Sequence, residues 1–132
     1  KPLMAKIKAS GVRIGVVTGS GQRPLIQRLL DDFKDLVDEH DIVTAYDVKH
    51  GKPSPEPYLM GLKKAGFEYP WEGIVVENAP LGVRAGVTAK IFTVAVNSGP
   101  LPDEALAKEG ANIILSKMIE LCDLWNDFMK SF

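Results

Sequence analysis

Apolar residues in this chain come in short blocks of two kinds. Val12 to Val17, Ile42 to Ala45, Gly73 to Val76, Ile91 to Val96 and Asn112 to Leu115 are compact and rich in β-branched residues, which predicts five strands. Between them the apolar positions fall at helical spacing. Leu25, Leu29, Leu30 and Phe33 mark a helix over Pro24 to Phe33, and Tyr58, Leu59 and Leu62 mark another over Pro55 to Ala65. Leu81 to Ala89 and Asp103 to Lys108 read the same way. The last segment, Ser116 to Phe128, gathers Ile119, Leu121, Cys122, Leu124, Trp125 and Phe128 on one broad apolar face.

The predicted strands are apolar along their length instead of alternating, and helices separate them. That pattern belongs to a parallel sheet covered on both faces, the α/β class with a Rossmann-like doubly wound topology. Connections are short and no repeat or low-complexity linker interrupts them, so residues 1–132 are expected to form one α/β domain. In such sheets ligands bind beyond the carboxyl ends of the strands. The loops after Val17, Ala45, Val76 and Val96 are the places to look for chemistry.

Composition narrows the options. Sixteen basic residues against seventeen acidic ones leave a net charge of −1, so no whole-chain field favours nucleic acid or an anionic membrane, and neither is expected as a partner. Any phosphate site must be local. Cys122 is the only cysteine, which leaves no intrachain disulfide or thiol cluster and suits a reducing compartment, the cytoplasm. Apolar runs such as Ile91 to Val96 are far shorter than the roughly 20 residues needed to cross a bilayer. No secretory leader pattern opens the chain, and its start at Lys1 without a methionine suggests that residues once preceded it.

Three strand-end segments carry candidate chemistry. The first reads Val16-Val17-Thr18-Gly19-Ser20-Gly21-Gln22-Arg23. A hydroxyl at a strand end, glycines that admit a close approach and a following helix start can together hold phosphate oxygens, through Thr18, Gly19 and Ser20. A plain glycine turn has the same pattern. A dinucleotide fingerprint does not fit, because Pro24 occupies the place of its third glycine.

The second segment is His50-Gly51-Lys52-Pro53-Ser54-Pro55-Glu56-Pro57, whose three prolines within five residues stiffen the loop around Lys52. Ser54 is placed to cap the helix that follows, with Pro55 at its first position. A lysine ammonium fixed there would neutralise phosphate charge and keep a nearby carboxylate ionised. In the third, Ile74-Val75-Val76-Glu77-Asn78-Ala79-Pro80, Glu77 and Asn78 set two oxygen-bearing side chains at a turn, which suits magnesium. Asn78 as a helix cap and Glu77 beside the helix dipole are the alternative, and the two roles are compatible. Elsewhere His50 is expected to be solvated, His40 to lack a partner, Cys122 to pack, and Trp71 and Trp125 to cover the edges of the core.

In this order, at the strand ends of one α/β domain, the motifs resemble the haloacid dehalogenase superfamily, within it the β-phosphoglucomutase-like phosphatases and mutases. Thr18 matches that family's second motif and Lys52, in Gly51-Lys52-Pro53-Ser54-Pro55, its third. Glu77 and Asn78 match the fourth, the acidic metal loop, although the family usually carries Asp where this chain has Asn78. The resemblance covers essentially the whole chain. It implies Mg2+, a small phosphorylated metabolite as partner and an aspartyl-phosphate intermediate. Thr18, Lys52, Glu77 and the ion would stabilise charge on the transferring group.

The family's first motif, Asp-x-Asp-x-Thr/Val, occurs nowhere in these residues, nor does the helical cap that follows it. The resemblance therefore implies a core lacking its first strand and cap domain, inactive by itself. The resemblance implies that the absent strand, which carries the nucleophile, belongs between those of Val12 to Val17 and Gly73 to Val76, supplied either by an N-terminal segment of the same protein or by another segment that fills the gap. A non-catalytic module that keeps the fold and binds phosphate or a protein is the alternative.

Overall fold

A computed structural model describes residues 2–19, 22–33 and 35–129. All five predicted strands are present: β1 (Val16–Val17), β2 (Ile42–Val43), β3 (Ile74–Glu77), β4 (Phe92–Val96) and β5 (Ile113–Leu115). Six α-helices alternate with them: α1 (Pro2–Ala9), α2 (Arg23–Asp32), α3 (Glu56–Lys64), α4 (Pro80–Thr88), α5 (Asp103–Ala107) and α6 (Met118–Met129). Every strand pair is parallel, with β1 on β2 in one sheet and β3-β4-β5 in another. The α/β, Rossmann-like expectation holds.

β4 shows how the two-faced cover arises. Val94 and Val96 point to a cluster with Leu3 of α1, Leu115 of β5, and Leu121 and Trp125 of α6. Ala95 points the other way, onto Val83 of α4 and Leu106 of α5. Side chains alternate along a strand, so a continuous apolar run feeds both layers at once.

The two sheets do not join. Among the described residues β1 and β3 each lack a strand on one edge, and Val76 of β3, within a run expected to be buried, is 37% exposed. A missing central strand predicts such an arrangement. β1 is also shorter than the strand expected from Val12 onward. Residues Glu39–Asp41 form a 3-10 turn and Thr44 leaves the ladder, so β2 offers only two residues to pair with.

Other expectations need correction. Helix α1 is absent from the predicted elements, yet its Leu3 is buried in the main cluster and Lys6 donates to the Cys122 carbonyl at 2.9 Å. On α2 the buried position is Ile26, and Leu25 is exposed. Trp125 is buried and its Nε1 donates to Ser10 Oγ at 3.0 Å, but Trp71 is 72% exposed, stacked on Tyr69 with ring centroids 4.5 Å apart. Of the face expected on α6, Leu121 and Trp125 are buried, Ile119 and Leu124 are exposed, and the Phe128 side chain lies outside those described. No helix among the described residues is long and apolar enough to cross a membrane.

Candidate active site

The carboxyl ends of β1 and β2 open onto a cleft of about 110 Å³ lined by Thr18, Gly19, Thr44, Lys49 and Lys52, among others. Thr18 follows β1 directly, and its N–H donates to the Val43 carbonyl at 2.9 Å, which extends the strand pairing to the cleft floor. A side chain at Gly19 would meet open space, so the backbone there is accessible to a ligand. Ser20, the third residue expected on this segment, lies outside the described residues.

Lys52 is held by more than its prolines. Glu56, the first residue of α3, accepts from the backbone N–H of His50 at 2.6 Å and of Lys49 at 3.2 Å, so the helix start grips the loop from below. These bonds hold the Glu56 carboxyl below its ordinary pKa. Ser54 Oγ accepts from the Glu56 N–H at 3.2 Å, but the N-cap of α3 is Pro55, not Ser54 as expected, and carries no side-chain cap bond, so the helix begins one residue later.

At the end of β3 the Glu77 carboxylate turns inward, toward Lys52. Its Oε1 accepts from Lys52 Nζ and from the Tyr58 hydroxyl, both at 2.6 Å. Its Oε2 accepts from the backbone N–H of Asn78 at 2.9 Å and of Ala79 at 3.2 Å. The side chain is only 9% exposed. Burial pushes the Glu77 carboxyl up, but the bonds from Lys52 and Tyr58, the Lys52 charge and the Ala79 N–H outweigh it, and the pKa lies below the ordinary range. The Tyr58 hydroxyl is pushed upward by burial first, then by its bond to the Glu77 carboxylate and by that charge.

Thr18, Gly19 and Lys52 thus share one cleft, and Glu77 reaches it through Lys52. Asn78 is exposed and does not cap α4, whose N-cap is Ala79 with no side-chain bond. Glu77 binds the first N–H groups of that turn instead. As a magnesium site the pair does not fit as it stands. The two Glu77 oxygens already accept four hydrogen bonds, Asn78 brings a neutral amide, and no three His, Cys, Asp or Glu side chains converge among the described residues.

Outside the cleft, His40 has a partner after all, its Nε2 lying 2.8 Å from the Lys64 carbonyl oxygen. Arg23 pairs with Glu39 at 3.2 Å on the surface. Two participants escaped the sequence reading. Tyr58 registered only as an apolar helix position, and Glu56 only as part of a helix start; the signal available was an acid in the first turn, seven residues after Lys49 and six after His50, behind a proline-stiffened loop.

Comparison with known proteins shows the family. A family model described as "Haloacid dehalogenase-like hydrolase" matches residues 1–96. This chain belongs to that family. It is 38% identical over 96 residues to "Hexitol phosphatase A" of Escherichia coli (strain K12), covering 73% of this chain and 43% of that protein. It is 34% identical over 119 residues to "Validoxylamine A 7'-phosphate phosphatase" of Streptomyces hygroscopicus subsp. limoneus, covering 90% and 54%. A solved structure from Bacteroides vulgatus, provisionally assigned as a beta-phosphoglucomutase, superposes with a TM-score of 0.91 at 49% identity, covering 98% of this chain and 52% of that one. The chain spans about half the length of the haloacid dehalogenase-like proteins it matches.

Proposed function

We propose that the complete protein transfers the phosphoryl group of a small phosphorylated metabolite, a sugar phosphate, as a phosphatase or a β-phosphoglucomutase-like mutase. The observation that carries this reading is the Lys52 ammonium, fixed by Glu77 beside Thr18 and Gly19 in a cleft at the strand ends. A cation on a rigid loop, opposite a hydroxyl and accessible backbone, suits three negatively charged equatorial oxygens better than it suits a neutral ligand. Phosphatase and phosphoglucomutase assignments among the relatives point the same way.

Thr18 and the Gly19 backbone bind the phosphate, Ser20 joins them, and Lys52 neutralises charge as it moves. The nucleophile is an aspartate outside these residues, on a strand that fills the break between β1 and β3. Its carboxylate oxygen attacks phosphorus while the ester oxygen departs with a proton from a general acid. Water then releases inorganic phosphate, or a substrate hydroxyl accepts the phosphoryl group. The family implies magnesium; Glu77 and Asn78 do not fit that ion as they stand, and its donors would have to come from other residues.

Phosphate release from a panel of sugar phosphates by the complete protein tests the reading. Lys52→Ala should lower kcat/KM by about 100-fold or more, the usual weight of one preorganised electrostatic group. A Lys52→Ala protein as active as wild type, or a complete protein that turns over no phosphate ester, would leave a non-catalytic binding module as the better account.

A further inference from the structure

Lys52, Glu77 and Tyr58 form a closed triangle under the cleft. Lys52 Nζ and the Tyr58 hydroxyl converge on the same Glu77 oxygen, and the ammonium lies 5.1 Å from the centroid of the Tyr58 ring. The ring packs against Val75, Ala89 and Ile91, on the side of β3 that α4 covers, so core packing sets the hydroxyl's position. A carboxylate's last torsion is soft and roughly two-fold. Two backbone N–H groups hold Oε2, and the tyrosine hydroxyl is the neutral donor that keeps Oε1 turned to the lysine. We propose that Tyr58 is a positioning residue: through the shared Glu77 oxygen it fixes where the Lys52 ammonium stands, so that in this arrangement Glu77 serves as the lysine's anchor and not as a cation ligand.

Without the hydroxyl, Oε1 would retain only Lys52, a long side chain with several rotatable bonds, and the carboxylate would keep neutral donors on Oε2 alone. The pair would then sample open geometries in which the ammonium meets solvent. Phenylalanine keeps the ring, its packing and its contact with the ammonium, so Tyr58→Phe isolates the hydroxyl. The relevance of this device to turnover rests on the role given to Lys52 above, but the coupling itself can be measured without substrate.

The test is the rate of acetic anhydride labelling at individual lysines in the complete protein, read by peptide mass spectrometry. Tyr58→Phe should speed labelling of Lys52 by about tenfold, the weight of one hydrogen bond to a charged group. Lys64, which is tied to Asp47 and to the Ile42 carbonyl, should label at the wild-type rate, as should every lysine in a Tyr46→Phe control. In turnover, kcat should fall by a similar factor with KM nearly unchanged, a split that a general loss of stability does not produce. Wild-type labelling of Lys52 in Tyr58→Phe would overturn the proposal. If Lys64 also accelerates, showing a loosened fold, Glu77→Gln decides: Lys52 alone accelerating supports the anchor, and an unchanged Lys52 refutes it. Faster Lys52 labelling in a protein that hydrolyses no phosphate ester would sink the enzymatic reading and leave the coupling standing.

Discussion

Gly82 lies against the Glu77 carboxylate so closely that a methyl group at position 82 would overlap the carboxyl carbon and both oxygens. The glycine is in α4 and has no unusual backbone angle, so its small size is the point. Alanine would favour the helix by about 1 kcal/mol, yet it would drive a nearly buried carboxylate off its donors, at roughly 1–3 kcal/mol. Gly82→Ala is therefore expected to be destabilised by about 1 kcal/mol in urea denaturation, and to lose at least about tenfold in kcat/KM because Lys52 loses its anchor. Wild-type activity in a folded Gly82→Ala protein would show that Glu77 does not need this position.

Gly86, one turn further along α4, is a purely structural counterpart. A methyl group there would come to 2.6 Å from Thr93 Oγ1 and 3.1 Å from Val75 Cγ1. Thr93 is fully buried and its hydroxyl donates to the Ile91 carbonyl at 2.9 Å, so it has no room to retreat. Overpacking of about 1–3 kcal/mol outweighs the helix gain of about 1. Gly86→Ala should lower the denaturation midpoint with the m-value unchanged, and spare the catalytic constants of whatever protein remains folded.

Much of this was legible in the sequence because the decisive pattern was long-range and regular. Five β-branched blocks separated by helical spacing specify a covered parallel sheet almost regardless of detail, and once the strands are placed Thr18 and Glu77 fall at strand ends and Lys52 in the loop between β2 and α3. What escaped depended on neighbours. Helix α1 carries Leu3, Met4 and Ile7 on too short a stretch to signal a period, and its stability comes from packing on α6. Tyr58 looked like any aromatic on a helix face, since only the fold brings its hydroxyl to a carboxylate 19 positions away. Trp71 looked like core, and is exposed because a 3-10 turn at Pro70–Glu72 carries it outward.

Asp47 gives a pH-dependent prediction at the rim of the cleft. Its Oδ2 accepts from the Thr44 N–H at 2.7 Å and its Oδ1 pairs with Lys64 at 3.2 Å, while Thr44 Oγ1 accepts from the Tyr46 N–H, a reciprocal cap. The Thr44 N–H first, then Lys64, lower the Asp47 pKa below its ordinary 3.8 against a smaller opposing effect of burial. A depressed folded pKa means that the unfolded state takes up the proton first as pH falls. The stabilisation is complete above the ordinary value and is lost as pH drops through the lower, folded one. Asp47→Asn should thus be less stable than wild type by about 1 kcal/mol at pH 7, and the gap should close in the most acidic samples. Denaturation midpoints of both proteins across that range would check it.

Arg13 and Asp41 carry an asymmetry that a mutant cycle can expose. Asp41 is 3% exposed and Arg13 Nε donates to both of its oxygens, at 2.8 and 3.0 Å, while the Arg13 side chain itself is 41% exposed. Both the hydrogen bonds and the Asp41 charge raise the Arg13 pKa, so the guanidinium stays charged throughout. Losing the arginine strands a buried carboxylate without its cation, whereas losing the aspartate releases an arginine that can reach water. Arg13→Ala should therefore lower the denaturation midpoint clearly and Asp41→Asn less, with Arg13→Ala nearly harmless in the Asp41→Asn background. Equal single-mutant losses that simply add would mean that the pair stabilises the β1–β2 corner through packing of the arginine stem, and that the buried charge is compensated by other groups.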